Sequence, residues 1–434
     1  MKIRFIFPKW QKLLDQDEDL SRTLAGYEIG NFRMPGLAVP SVAAATPHDC
    51  QIELVDEHTQ SLDFDNLDFD LAAISFFTPQ ASRAYEIAIQ IRKRGKKVVF
   101  GGLHPTLLPF EAMKHADAVC AGMAEPCWTD IITDFKHNRL KPLYDTRSAV
   151  PYSSQYHTPV RSLWQKKGYV QIGVVQISRG CTYRCPYCVV PPYAGDDIVY
   201  RPLDDVVAEI AALDYPSFYV ADENLIFSSA RDSQYASALL RQIAHLKKRL
   251  FIASFPFLIN RAADNIMELL ANAGCTQIYL VTGLDSESEK MYAGDTTAVD
   301  QAVKKIRSFG IPVMTSFCVG SDLFEEKHFS WLIDYSDSLE TDLAEFFIST
   351  PYPGTSVRAR LAGERRLLDV PWSKYNGANV TYRPARISER ELAHGFRNLW
   401  LKYYGRLSRF EAYKRITRCF GASVLKTFER KATG

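Results

Sequence analysis

The chain has 434 residues, 47% hydrophobic and 24% charged, with a net charge of +2. That is enough chain for two or three domains and a large core, and too little charge for a general polyanion-binding field, so no nucleic-acid partner is expected. No apolar run approaches a bilayer-spanning length and the first residues lack signal-peptide architecture, so a cytoplasmic protein with no membrane partner is expected.

Residues 1–137 read as alternating short apolar runs and amphipathic helices: strands at 3–7, 52–56, 71–76, 97–102 and 118–122, helices at 80–94 and 126–135. That alternation predicts a doubly wound parallel sheet of the flavodoxin or Rossmann type. Ligands of such sheets bind at the carboxyl ends of the strands. Those ends carry Ser75, Phe76, Thr78 and Gln80, then Gly101, Gly102 and His104, then Gly122 and Glu125. Glycine permits close backbone approach and helix starts offer free N–H groups, so these residues alone imply a nucleotide-like ligand. Residues 138–168 carry turn formers and charge without periodicity and read as a linker.

From residue 169 the alternation resumes at a spacing of roughly thirty residues. Strands are expected at 170–177, 217–221, 250–254, 277–281, 312–319 and 344–349, with helices between them. Six repeats make a partial β/α barrel over 169–354, whose active end is the carboxyl end of its strands. The loop after the first strand holds Cys181, Cys185 and Cys188 at C-x3-C-x2-C spacing, with Arg179, Gly180 and Arg184 suited to a turn that offsets thiolate charge. Three thiols in eight residues read as ligands to an iron–sulfur cluster with one iron left open for chemistry. Structural zinc and inert thiols are the alternatives; a zinc site needs a second Cys/His pair, and none follows at a matching distance.

This motif, with Tyr187 before the last cysteine, resembles the signature of the radical S-adenosylmethionine (SAM) enzymes. The resemblance implies a 4Fe–4S cluster that chelates SAM through its open iron and reductively cleaves it to a 5′-deoxyadenosyl radical. It further implies SAM contacts from Tyr187, from Asp222 or Glu223 after the second barrel strand, from Ser254 after the third and from Asp285 after the fourth. Relatives often have Glu where Asp285 stands, and helix capping accounts equally well for an Asp there. Beside such a motif, residues 1–137 resemble the cobalamin-binding domain of a large subgroup of the family, with Ser75, Phe76, Thr78, Gln80, Gly101, Gly102, His104, Gly122 and Glu125 as the implied contacts.

Many cobalamin-binding domains place a cobalt-ligating histidine in Asp-x-His-x-x-Gly. Asp56-Glu-His58 approaches this pattern, lacks the glycine and follows the second strand instead of the first, so His58 reads as a surface-loop residue. Cys50, Cys120 and Cys127 read as packing residues. Cys318 and Tyr352 are candidate catalytic groups, with a packed thiol and a stiff Pro-Tyr-Pro-Gly turn as the plainer readings. Residues 355–434 form a C-terminal helical segment whose basic end is either a solvated face or a cap over the open end of the barrel.

The resemblance therefore implies a cobalamin-dependent radical SAM methyltransferase acting on an unactivated carbon or phosphinate phosphorus of a small molecule, with a flavodoxin or ferredoxin as reductant. A ring-forming or rearranging radical enzyme without methyl transfer is the second reading. A non-catalytic corrin or redox sensor is the third.

Overall fold

The computed structural model describes residues 1–11, 13–24, 35–147, 156–165, 169–170, 172–222, 229–284 and 286–420. Glu223 and Asp285 lie outside them.

The N-terminal sheet is parallel and six-stranded: β1 (Lys2–Phe7), β2 (Gln51–Asp56), β3 (Leu71–Ser75), β4 (Lys97–Gly101), β5 (Ala118–Ala121) and β6 (Leu143–Asp145), in the order β2-β1-β3-β4-β5-β6. Its strands are apolar on both sides because both faces are covered. Ala72 and Ile74 of β3 pack in the cluster that holds helix Ala81–Lys93, whereas Leu71 and Ala73 pack in the cluster that holds helix Trp128–Lys136. β6 falls within the stretch 138–168 that the sequence marks as linker, so the sheet continues to Asp145.

The barrel begins with β7 (Gly173–Val175), followed by a two-stranded antiparallel ladder of β8 (Ser178–Arg179) and β9 (Val199–Tyr200) that brackets the cysteine loop. The remaining strands are β10 (Ser217–Val220), β11 (Arg249–Ser254), β12 (Cys275–Thr282), β13 (Val313–Val319) and β14 (Leu343–Ile348). They pair in the order β14-β13-β12-β11-β10-β7, parallel throughout, and β14 does not meet β7. Alternate residues such as Val220, Ile252, Leu280, Phe317 and Phe346 are sealed beneath the surrounding helices in one large core.

Helix Glu389–Gly405 starts with a Ser388/Glu391 capping box and adds Phe396, Trp400, Tyr403 and Tyr404 to that core. Trp400 and Tyr403 meet Phe346 at ring distances of 5.6 and 5.4 Å, so this helix covers the outer face of β14. Helix Arg409–Phe420 lies at the opposite end from the active face. Its Arg418 pairs at 3.1 Å with Asp342, which immediately precedes β14. For the described part of the basic segment, up to Phe420, a cap over the open end is thereby overturned: its helix lies at the foot of the barrel. The segment after β14 crosses the active face instead, where Ile348 N donates to Gly377 O, and Trp372 reaches the N-terminal domain to donate at 2.8 Å to Glu111 in helix Pro109–Ala112.

Candidate functional site

The cysteine loop leaves β8 through Gly180, whose φ of +85° favours glycine and where a Cβ would run into the Asp197 carbonyl. Cys181 is buried, and its N–H donates to Gly195 O at 3.3 Å. Cys185 and Cys188 are partly exposed, linked by a Cys188 N–H bond to Cys185 O at 3.0 Å. The N–H of Val190 donates to Cys188 Sγ at 3.4 Å, an interaction that favours a thiolate. Tyr183 sets its ring edge-on to Phe257 at 5.2 Å, and Pro186 O accepts from Val357 N at 2.9 Å. The loop is thus held from the β11 side and from the segment after β14.

Both flanking arginines have carboxylate partners. Arg184 pairs outward with Asp196, and Arg179 pairs at 2.5 Å with Glu125 from the N-terminal domain. Asp222 is buried and accepts from Ile177 N at 2.6 Å and from Ser178 Oγ, so its carboxylate braces the strand that delivers the loop. Ser254 closes β11 on the side of Ile252, and its buried Oγ meets no hydrogen-bond partner among the described residues. Tyr187 sits in the loop, partly exposed.

Above the loop a cavity of about 580 Å³ lies between the carboxyl ends of β1, β3, β4 and β5 and the first barrel strands. Ser75, Gly101, Gly102, Gly122 and Glu125 form part of its wall on one side, Gln176, Arg179, Tyr193 and Tyr219 on the other. Gly101 leaves open space where a Cβ would be, and Gly122 has a φ of +100° with Thr146 Oγ1 2.6 Å from its would-be Cβ. Phe77, 48% exposed although large and apolar, also lines the cavity.

The other residues expected there are packed elsewhere. Phe76 is core, meeting Phe100 at 5.0 Å. Gln80 turns back to accept from Phe77 N at 2.8 Å and donate to Pro8 O at 2.5 Å. His104 is fully buried, 3.1 Å from the Tyr85 hydroxyl and 3.3 Å from Thr78 Oγ1, with Glu111 3.5 Å away. Phe76, Thr78, Gln80 and His104 do not line the cavity; His104 is carried away from it by the helix that starts directly after Gly102.

His58, read from sequence as a surface residue, does line it. Its ring stands edge-on to Trp10 at 4.3 Å, and the His58 backbone N–H donates at 3.0 Å to Asp56, which also accepts from Tyr169 at 2.8 Å. Trp10, Phe77 and Tyr193 were not anticipated; an aromatic at the end of a strand or loop carries no signal of which neighbour it will meet. Cys318 is fully buried in β13, and burial pushes its thiol well above the ordinary range, which fits packing. Tyr352 is partly accessible, with its phenol pushed up to about 12 by burial. Cys120 and Cys127 are buried with sulfurs 3.3 Å apart.

Residues 175–334 match the model of the radical SAM superfamily. They form a radical SAM domain. The chain is similar to the bacteriochlorophyllide d C-8(2)-methyltransferase of Chlorobaculum tepidum, 28% identical over 380 residues with 81% of each chain covered. The C-12(1)-methyltransferase of the same organism is 26% identical over 402 residues, covering 88% of this chain and 85% of that one. In fold, the chain is similar to TsrM, a radical SAM methyltransferase from Kitasatospora setae solved with cobalamin and a 4Fe–4S cluster bound, with a TM-score of 0.66, 15% identity and 99% of each chain covered.

The donor set of the radical SAM domain fits a cluster. Among the described residues no group of three or more His, Cys, Asp or Glu is placed to hold a single metal ion; a cubane asks for thiolates at separate corners. The cavity fits a large cofactor with an apolar body, its volume falling within the roughly 300–1,000 Å³ of small-molecule sites. No helix among the described residues is long and apolar enough to cross a membrane.

Proposed function

We propose that the protein is a cobalamin-dependent radical SAM methyltransferase acting on an unactivated carbon, or a phosphinate phosphorus, of a small-molecule biosynthetic intermediate. One observation carries this reading. A single cavity joins Gly101, Gly122 and Glu125 at the ends of the N-terminal strands to Gln176 and Arg179 at the entrance of the cysteine loop. A methyl carrier and a radical source must address the same substrate, and a shared cavity is what that requires. The similarity to two methyltransferases over more than four-fifths of the chain supports it.

When bound, the cluster with SAM supplies a hydrogen-abstracting 5′-deoxyadenosyl radical, and cobalamin supplies the methyl group. The chain contributes position and exclusion. Cys181, Cys185 and Cys188 would hold the cluster, with Asp222 fixing the strand before them. Ser75, Gly101, Gly102, Gly122 and the exposed ring of Phe77 would receive the corrin, and Tyr187 in the cysteine loop would contact SAM. Apolar walls from Phe5, Val99, Trp128 and Tyr169 keep water from the reactive centre. A flavodoxin or ferredoxin in the cytoplasm would deliver the electron, with neither nucleic acid nor membrane as partner.

The test is anaerobic incubation of the reconstituted protein with SAM and a strong reductant. Methyl transfer consumes SAM by two routes, so both S-adenosylhomocysteine and 5′-deoxyadenosine are expected. Deoxyadenosine alone would replace methyl transfer with another radical reaction.

A further inference from the structure

The barrel strands have two unlike sides. Residues facing the helices, such as Val220, Ile252, Leu280 and Phe346, are buried, while their neighbours Tyr219, Ala253, Tyr279, Val281, Glu345 and Phe347 keep partial exposure. Alternation along a strand puts the second set on the inner side, so the lumen contains accessible space. Tyr219 belongs both to this inner side and to the wall of the cofactor cavity, which also takes Val174, Gln176 and Ala221 from the first two strands.

Among the described inward residues of these strands Glu345 is the one acid, and the one cation, Arg249, is exposed at the foot of β11. Its Oε2 accepts from the Tyr279 hydroxyl at 2.6 Å. A carboxylate has about four acceptor positions, so most of its capacity is unused by that bond. Two further polar groups share the patch. Ser316 Oγ is fully buried and lies beside the Tyr279 phenol without reaching hydrogen-bond geometry. Gln277 Oε1, two residues before Tyr279 on the same side of β12, is buried and has no partner among the described residues. Burial pushes the Glu345 carboxyl above its ordinary range, and the Tyr279 hydroxyl opposes only part of this.

An acceptor-rich patch without a cation, walled by Tyr219 and Phe347, is unfavourable when empty and favourable around a donor. We propose that Glu345, held by Tyr279, is the polar anchor of the substrate lumen, and that the substrate presents an ammonium or N–H nitrogen on an apolar, ring-bearing body. This rests on the reading of the barrel as a radical SAM active site.

The probe is phenethylamine, titrated against cluster-reconstituted protein by ligand-observed NMR, with 3-phenylpropionate as the anionic counterpart of similar shape. The amine is expected to bind wild type in preference to the acid, and Glu345→Gln to weaken it by about tenfold or more. Tyr279→Phe, which leaves the carboxylate in place, is expected to weaken it less. Equal amine affinity in wild type and E345Q, no amine binding to wild type, or preference for the acid would overturn the proposal. Cluster absorbance recorded on the same samples separates this from the underlying reading. Wild-type protein that takes up no cluster contradicts the radical SAM site itself, and E345Q loaded like wild type shows that its fold is intact.

Discussion

Arg179 and Glu125 form an ion pair at 2.5 Å that joins the two domains beside the cysteine loop. Arg179 stands two residues before Cys181, and Glu125 lies in the loop after β5, where the resemblance assigns it a cobalamin contact. Both side chains are nearly buried, at 11% and 7% exposure, and both line the cavity. The first sheet therefore fixes where the cluster loop begins.

Removing one member of such a pair strands a buried charge, which costs about 3–5 kcal/mol, whereas replacing both by apolar residues is close to neutral. Arg179→Met is accordingly expected to lower the thermal midpoint and the iron retained. The double variant R179M/E125M is expected to recover most of the stability. A double variant no more stable than R179M would show that the pair does not couple the domains.

Asp222 offers a second lever on the loop. Asp222→Ala leaves the Ile177 N–H without its acceptor, a loss of about 1–3 kcal/mol. The expected result is less iron bound after reconstitution, with D222N recovering part of it because its amide oxygen still accepts from Ile177. Unchanged iron content in D222A would remove Asp222 from the support of the cluster.

A pH dependence follows from Glu111. Burial raises its carboxyl pKa, but the hydrogen bonds from His104, Tyr85 and Trp372 outweigh that and hold it down to about 2, below its ordinary 4.5. A carboxyl depressed in the folded state contributes stability that is complete above pH 4.5 and is lost as pH falls toward 2. Thermal midpoints of wild type are expected to fall across that window more steeply than those of Glu111→Gln. Parallel curves would contradict this. The Trp372 bond makes the loss a loosening of the C-terminal segment from the N-terminal domain.

The strands were legible because buried parallel strands are near-continuous apolar runs, as in Leu71-Ala-Ala-Ile and Val313-Met-Thr-Ser-Phe-Cys-Val. β6 was not, since its three residues Leu143-Tyr-Asp have no period to read. The cysteines announced themselves by spacing. The two histidines did not: His58 and His104 both follow strands, and only the helix that starts after Gly102 turns His104 inward while His58 reaches the cavity wall. Asp222 looked like a ligand because acids at strand ends often are, and its partners Ile177 and Ser178 lie 45 and 44 residues away, beyond any local pattern. The basic helix 409–420 gave its charge but not its end of the barrel.

One chain is expected to hold an iron–sulfur cluster and a corrin on either side of a shared cavity. Anaerobic reconstitution with iron, sulfide and hydroxocobalamin, followed by desalting and metal analysis, tests it without knowledge of the substrate. About four irons and one cobalt are expected to be retained per chain, with iron lost and cobalt kept when Cys181, Cys185 and Cys188 are replaced by Ala. Iron retained without cobalt would contradict the shared site and leave a radical enzyme that does not use the N-terminal domain for methyl transfer.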